Sequence, residues 1–338
     1  MFHGILPIRG LGMILCCGEA VIDMVQASVP GLGEVFLSLP GGCSYNTSIA
    51  IGRLGVPAAF LGRLSTNFFG ELQVKRLREN HVRDDLVIRC NQNPVLAFIK
   101  EEKGREPQYA FYDEGAADSA LSTEDLPPLP ADTTCIVFGS ISMSMEPIAS
   151  TIEKLILNEA QRKTVIAFDP NIRPLMIKDR DAYMKRFETW IRVCTIAKIS
   201  GEDFAFIFPN TEPEETLRKT IDLGARLAIV TLGPQGAIAM LRRDDGSVIR
   251  INAQAAHINK VADTVGAGDT FHGAFLAWLE TRGKMSPNSI AHLSETELYN
   301  ALVFANKAAS IVCTRHGAEP PFLEEVEKQK KFRLFTSL

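Results

Sequence analysis

Short apolar runs alternate along this chain with segments of helical periodicity. The runs 14-ILCCG-18, 58-AAFLGRL-64, 135-CIVFG-139, 164-TVIAFD-169, 194-CTIAKIS-200 and 227-LAIVTLG-233 have strand length. They lack the every-second-residue alternation of a half-exposed strand, as expected for strands buried on both faces. Between them the spacing predicts helices over 44–54, 69–80, 146–161, 181–192 and 213–223, with Gly55 and Gly224 as stop signals. Alternating strands and helices predict an α/β fold, a parallel sheet with helices on both faces.

Two regions leave this rhythm. Residues 20–39 read as extended, with a turn at 30-PGLG-33, and 95–113 reads as a hairpin turning at 101-EEKGRE-106. They form either a small antiparallel sheet projecting as a lid that shields a site from water, or edge strands of the main sheet. Another hairpin, with its turn at 244–246, falls at 237–252. After residue 267, Phe271, Ala274, Phe275, Trp278 and Leu279 follow one helical face, and an Ala-rich helix covers about 295–313. No internal repeat or linker breaks the chain. The expected organisation is a loose leader over 1–12, then one domain over 13–338 with a lid from about 20–40 and 94–114.

Composition narrows the function classes. The 338 residues are 46% apolar, enough for a large core, and the net charge of −4 is spread without a basic block. Nucleic-acid and membrane partners are therefore not expected. The seven cysteines include no C-x-x-C pair, and the six histidines show no ligand spacing. Reduced thiols packed as small hydrophobes in a cytoplasmic protein are the expected reading, and zinc is not.

The densest chemistry lies in 263-DTVGAGDTF-271. Its first half reads G-x-G, but Phe271 breaks the dinucleotide-binding pattern, and no Lys-Ser or Lys-Thr follows to make a Walker loop. Gly266, Ala267 and Gly268 precede a strong amphipathic helix, so their N–H groups would form an anion site at its N-terminus. Asp269 would repel an anion there. It makes sense as a general base taking the proton of a hydroxyl that attacks a phosphate. Its alternative role is to cap the helix and favour the dipole.

This loop resembles the C-terminal signature of the ribokinase-like, or PfkB, carbohydrate kinases. The N-terminal signature is matched by 41-GGCSYNTSIAIGRLG-55 and 61-LGRLSTNFFG-70, more than two hundred residues earlier. Further similar pieces are 18-GEAVID-23, 169-DPNIR-173, 198-KISGED-203, 231-TLGPQGA-237 and 315-RHGAEPP-321. The resemblance thus covers roughly 13–321. It implies a doubly wound, mostly parallel α/β domain with a small antiparallel β lid, transferring the ATP γ-phosphate to a sugar hydroxyl. Asp269 would be the base, Gly266, Ala267 and Gly268 the anion cradle, and Arg173 a cation near the transferred group.

The matched positions also imply nucleotide contacts from Lys198, Thr231, Gly233, Gly236 and Gly268, with Asn306 near the adenine. Lys198 has an alternative as an ordinary strand-end residue, and Gly233 and Gly236 as turn residues. Mg²⁺ would be held through water. The family shows N-x-x-E where this chain has 200-SGED-203, so Asp203 falls at the Glu position and Glu202 is its alternative. A monovalent cation such as K⁺ would sit beside Asp263 and Thr264. Asn67 stands where many members carry Asp, with a structural or sugar-side effect expected.

For the sugar, the resemblance implies Asp23, Gly41, Gly42 and Asn46, whose plain alternatives are a turn acid and a helix cap. Kinases of 2-keto-3-deoxygluconate carry Tyr-Tyr-Arg where this chain has Phe111-Tyr112-Asp113, and the missing Arg argues against an acidic sugar. The phrases 14-ILCCGEAVIDM-24 and 111-FYDEGAAD-118 are most similar to bacterial fructokinases. The expected reaction is therefore D-fructose to D-fructose 6-phosphate. Ribose, a ketodeoxy acid or a nucleoside remains as an alternative substrate, and a non-catalytic sugar-binding regulator as the other class. Phe98, Phe111 and Tyr112 are expected to close the lid over the sugar or to pack within its hairpin. Exposed lid edges predict a homodimer through the lid.

Overall fold

The computed structural model describes residues 10–100 and 108–328. Of the expected leader, residues 1–9 lie outside the described residues, as does the expected turn at 101–106. In chain order the strands are β1 (Met13–Cys17), β2 (Val21–Val29), β3 (Gly33–Gly41), β4 (Ala58–Leu61), β5 (Arg63–Ser65), β6 (Val82–Arg83), β7 (Ile88–Cys90) and β8 (Leu96–Lys100). They continue with β9 (Gln108–Tyr112), β10 (Thr133–Gly139), β11 (Val165–Asp169), β12 (Ile196–Ser200), β13 (Leu227–Thr231), β14 (Ala237–Arg242) and β15 (Val248–Ala253). The helices that matter here begin with α1 (Cys43–Arg53), α2 (Phe68–Glu79), α3 (Ile148–Gln161), α4 (Arg180–Val193) and α5 (Gly201–Ile207). They end with α6 (Pro213–Leu223), α7 (Ala267–Thr281), α8 (Pro287–Ala291) and α9 (Glu295–Val312).

Nine strands form the main sheet in the order β15-β14-β13-β12-β11-β10-β1-β4-β6. All neighbours run parallel except the hairpins β13·β14 and β14·β15. The central strands β1, β11 and β12 are buried on both sides, which explains their unbroken apolar runs. In β1, Ile14 and Cys16 enter the core beneath α1, α7 and α9, whereas Met13, Leu15 and Cys17 enter the core shared with α3, α4 and α6. Successive side chains of a strand must point to opposite faces, so the adjacent cysteines serve different layers. All seven cysteines are free thiols. Among the described residues no helix is long and apolar enough to cross a membrane.

The chain leaves β1 in one direction through β4 and β6, then returns to its other side at β10 and continues to β13. Strand order therefore reverses between β1 and β10. In open α/β sheets such a reversal opens a crevice at the carboxyl ends of the strands.

A second sheet, ordered β3-β2-β8-β9, covers that crevice. Its outer pairs are antiparallel, and its central pair β2·β8 is parallel. Asp118 ties this sheet to the body. Its buried carboxylate accepts N–H from Ala20 (2.9 Å) and Val95 (2.8 Å), the residues entering β2 and β8. Asn67 is structural: it caps α2 by accepting N–H from Phe69 and Gly70 at 3.0 and 3.1 Å.

Candidate active site

A cleft of about 1230 Å³ opens between the carboxyl ends of the main sheet and the second sheet. Its floor carries residues at or just past the ends of four successive strands: Ser140 after β10, Asn171 after β11, Ser200 ending β12 and Thr231 ending β13. Its roof is one face of the second sheet, with Val21, Asp23, Ala97, Ile99 and Phe111.

Gly266 caps the start of α7 in the left-handed conformation, with φ 75°. A Cβ there would also lie 2.6 Å from that of Ala318, in the matched 315–321 segment. Glycine is thus required for both turn and contact. No side chain caps this helix end. Gly266 and Gly268 line the cleft, so the helix N-terminus faces it with its dipole and unsatisfied N–H groups. Ala267 opens the helix with its own N–H turned back to the Thr264 carbonyl at 3.2 Å. Asp263 staples the loop from outside, accepting N–H from Val265 (3.0 Å) and Gly317 (2.8 Å), and Thr264 lies on the cleft wall.

Asp269 is buried at the bottom of the cleft. Asn46 Nδ2 donates to one carboxylate oxygen at 2.9 Å, and Asn171 Nδ2 approaches the other at 3.3 Å. Burial pushes the Asp269 carboxyl up to about 6; Asp169 adds to the rise, while Asn46, Lys198 and Cys43 oppose it. An acid so placed is ionised at neutral pH yet basic enough to take a proton. Across the cleft, burial and the charge of Asp269 push Asp23 up to about 7, against the pull of Arg173. The two acids repel one another across the cleft and titrate as a coupled pair. Arg173 lies at the surface of the cleft, its guanidinium donating to the Ile172 carbonyl at 3.1 Å.

The turn before α1 brings Gly42 to the cleft, one residue after Gly41 ends β3. Gly42 has φ 110° and ψ 138°, and a Cβ there would lie 2.8 Å from the Glu19 carbonyl oxygen. Gly42→Ala is expected to lower stability by about 2–3 kcal/mol, read by urea unfolding, and to raise the sugar KM. An unchanged unfolding midpoint would contradict the strained geometry. Glu19 holds this turn: its buried carboxylate accepts the Cys43 N–H at 3.1 Å and the Ser142 hydroxyl.

Several expected contacts fall elsewhere. Phe98 and Tyr112 point away from the cleft, where Phe98 packs edge-on against Phe36 and Tyr112 with ring centroids at 5.0 and 5.4 Å. Strand alternation leaves Phe111 as the aromatic of this group in the cleft. Gly236 is turned into the end of β15, against the Ala253 carbonyl, and Gly233 with Thr231 takes the cleft side. Asn306 is buried and donates to the carbonyls of Ala253 (3.0 Å) and Gln254 (3.2 Å), which makes it a staple for that segment. Asp203 lines the cleft as well, but its carboxylate accepts N–H from Ile172 (2.6 Å) and Ser200 (3.0 Å), so it caps α5 and fixes the 169–173 loop. Glu202 is the exposed neighbour on the cleft. Lys198 does not extend toward solvent: it reaches the cleft floor as a buried ammonium paired with Asp169 at 2.7 Å.

Sequence reasoning assigned no role to Asn171, Glu19, Asp169, Cys43 or Asp118. Each lies within or beside a matched motif, but its partner lies between 23 and 126 residues away in the chain.

The model of the pfkB family carbohydrate kinases matches residues 12–325. A fructokinase of Rhizobium leguminosarum bv. trifolii is 36% identical over 289 residues, covering 85% of this chain and 86% of its own. Among solved structures, a fructokinase from Xylella fastidiosa with bound ATP superposes with a TM-score of 0.84 at 24% identity, over 94% of this chain and 97% of its own. A fructokinase from Vibrio cholerae O395 in a fructose, ADP and calcium ion bound form gives 0.79 at 23% identity, over 94% and 98%.

Proposed function

This chain belongs to the pfkB family of carbohydrate kinases, and on that premise we propose that it transfers the γ-phosphate of ATP to D-fructose, giving D-fructose 6-phosphate. The observation that carries this reading is the placement of Asp269. The acid stands beside the uncapped N-terminus of α7, held by Asn46 and Asn171, at the base of a cleft large enough for two ligands. The sugar occupies the end lined by Asp23, Gly42, Asn46 and Phe111, and the nucleotide the end lined by Thr231, Gly233 and Gly268.

Asp269 takes the proton of the attacking hydroxyl as its oxygen bonds to the γ-phosphorus and the bond to the bridging oxygen breaks, releasing ADP. The N–H groups opening α7, together with Arg173, stabilise the charge on the phosphoryl group in flight. Of the two acids in 200-SGED-203, Glu202 fits magnesium, because its carboxylate is open to the cleft while that of Asp203 is engaged by backbone N–H groups. When bound, Mg²⁺ neutralises phosphate charge. A K⁺ site beside Asp263 and Thr264 rests on the family resemblance alone, because both carboxylate oxygens of Asp263 accept backbone N–H groups.

Fructose is favoured over an acidic sugar because, among the described residues of β9, Phe111 lines the cleft and no cation does. The test is an ADP-release panel of fructose, ribose, 2-keto-3-deoxygluconate and nucleosides with ATP and Mg²⁺. Turnover of another sugar without turnover of fructose would overturn the assignment. We also infer a homodimer through the second sheet, which exposes Phe36, Leu37, Leu39 and Tyr112. Light scattering is expected to give twice the chain mass at micromolar concentration, and a monomer would reject this arrangement.

A further inference from the structure

A charged pair lies buried beneath the proposed base. Lys198 on β12 and Asp169 at the end of β11 are both nearly inaccessible, with side chains 2% and 1% exposed, and meet at 2.7 Å. Carboxylate oxygens of Asp169 and Asp269 and the thiol of Cys43 can be chosen so that all lie within 4.8 Å of one another. Lys198 is equally close to the loop: a Cβ on Gly268 would stand 3.2 Å from its Nζ. The second oxygen of Asp169 has no hydrogen-bond partner.

Burial works to neutralise Lys198, but Asp169, Asp203 and Cys43 outweigh it and hold the ammonium protonated. His272, on the same helix as Asp269, lies 3.9 Å from Asp169. Burial and Lys198 push its imidazole down to about 3, so it carries no charge here. From the other elements around Asp269 come Asp23 on β2, Cys43 and Asn46 on α1, and Asn171 and Arg173 in the loop after β11.

We propose that Asp169 and Lys198 are positioning residues: a buried charge couple whose two members act oppositely on Asp269 and together set the pH at which it can serve as base. Asp169 disfavours the ionised form of Asp269, and Lys198 favours it. Each is close enough, in a medium of low polarity, to move its titration by about one pH unit or more. A buried pair is a weak source of stability, because removing two charges from water offsets their attraction. Its place under the loop gives it this other use. The catalytic meaning rests on the reading of Asp269 as the base; the electrostatic coupling does not.

The experiment therefore has two readouts. The carboxyl carbon of Asp269 is titrated by ¹³C NMR, its resonance identified by its loss in Asp269→Asn, and kcat is measured against pH with fructose. Asp169→Asn is expected to lower both the Asp269 midpoint and the acid limb of kcat by about one unit, and Lys198→Met to raise them. Lys198→Arg should leave both near wild type. Thermal melts confirm that each variant is folded; should Lys198→Met not fold, Asp169→Asn decides alone. A merely structural pair would change yield or melting temperature and leave both midpoints in place, which would overturn the proposal. Midpoints that move in a protein without sugar-kinase turnover would support the couple and reject the proposed function instead.

Discussion

Asp269→Asn is expected to lower kcat by at least ~10² while sugar binding and the fold persist. The amide keeps the shape of the carboxylate, and its oxygen can still accept from Asn46, now 2.9 Å from the acid. What is lost is the proton acceptor. The folded-state carboxyl lies at about 6, above its ordinary 3.8, chiefly through burial. Catalysis by the wild type should therefore fall as pH drops through about 6, since only the ionised form takes a proton. The sign for stability is opposite. A carboxyl raised in the fold favours folding fully below the unfolded value of 3.8, and that contribution is lost as pH rises through about 6. At neutral pH the ionised acid thus opposes folding. Asp269→Asn is accordingly expected to melt no lower than wild type at pH 7.5 by circular dichroism. Near-normal turnover would refute the base assignment, and a much lower melting temperature would show that the acid is structural.

The elements of the main sheet were legible because strands buried on both faces and amphipathic helices write different periods into a sequence. The run 194–200 became β12 and the segment 213–223 became α6 for that reason. The run 58–64 became two strands, broken at Gly62, whose built Cβ would lie 2.5 Å from the Gly18 carbonyl oxygen, a contact set by a distant segment. The second sheet was legible as extended chain but not in phase or direction. Alternation says that Phe111 and Tyr112 face opposite ways, yet only pairing with β8 decides which faces the cleft. The parallel pairing of β2 with β8 likewise joins segments about seventy residues apart. In the site, the position of the glycine loop and Asp269 at a helix start was readable because local sequence sets it. Lys198, Asp203 and Asn306 were not, because each is engaged by a partner that folding delivers from 29, 31 and 53 residues away.

Asp23→Ala is expected to reduce kcat/KM for fructose by ~10² or more, almost wholly through KM. Asp23 lines the roof of the cleft on β2 with its carboxylate inside, and its raised value of about 7 reflects burial and the repulsion of Asp269. A sugar hydroxyl that donates to such a carboxylate replaces water that the cleft partly excludes. Hydrogen bonds to charged groups contribute roughly 1.5–3 kcal/mol each, and two together account for the expected loss. The base and the loop opening α7 are untouched by the change, so saturating fructose should restore most of kcat. The two acids can then be separated by pH. In the wild type, KM for fructose should rise as pH falls through about 7, where Asp23 gains its proton, whereas kcat should hold until about 6, where Asp269 gains its own. Asp23→Asn should abolish the first dependence and retain the second. A variant that loses kcat at saturating sugar and keeps KM would place Asp23 in the phosphoryl-transfer step, and would remove the sugar-binding role argued from its position on the cleft roof.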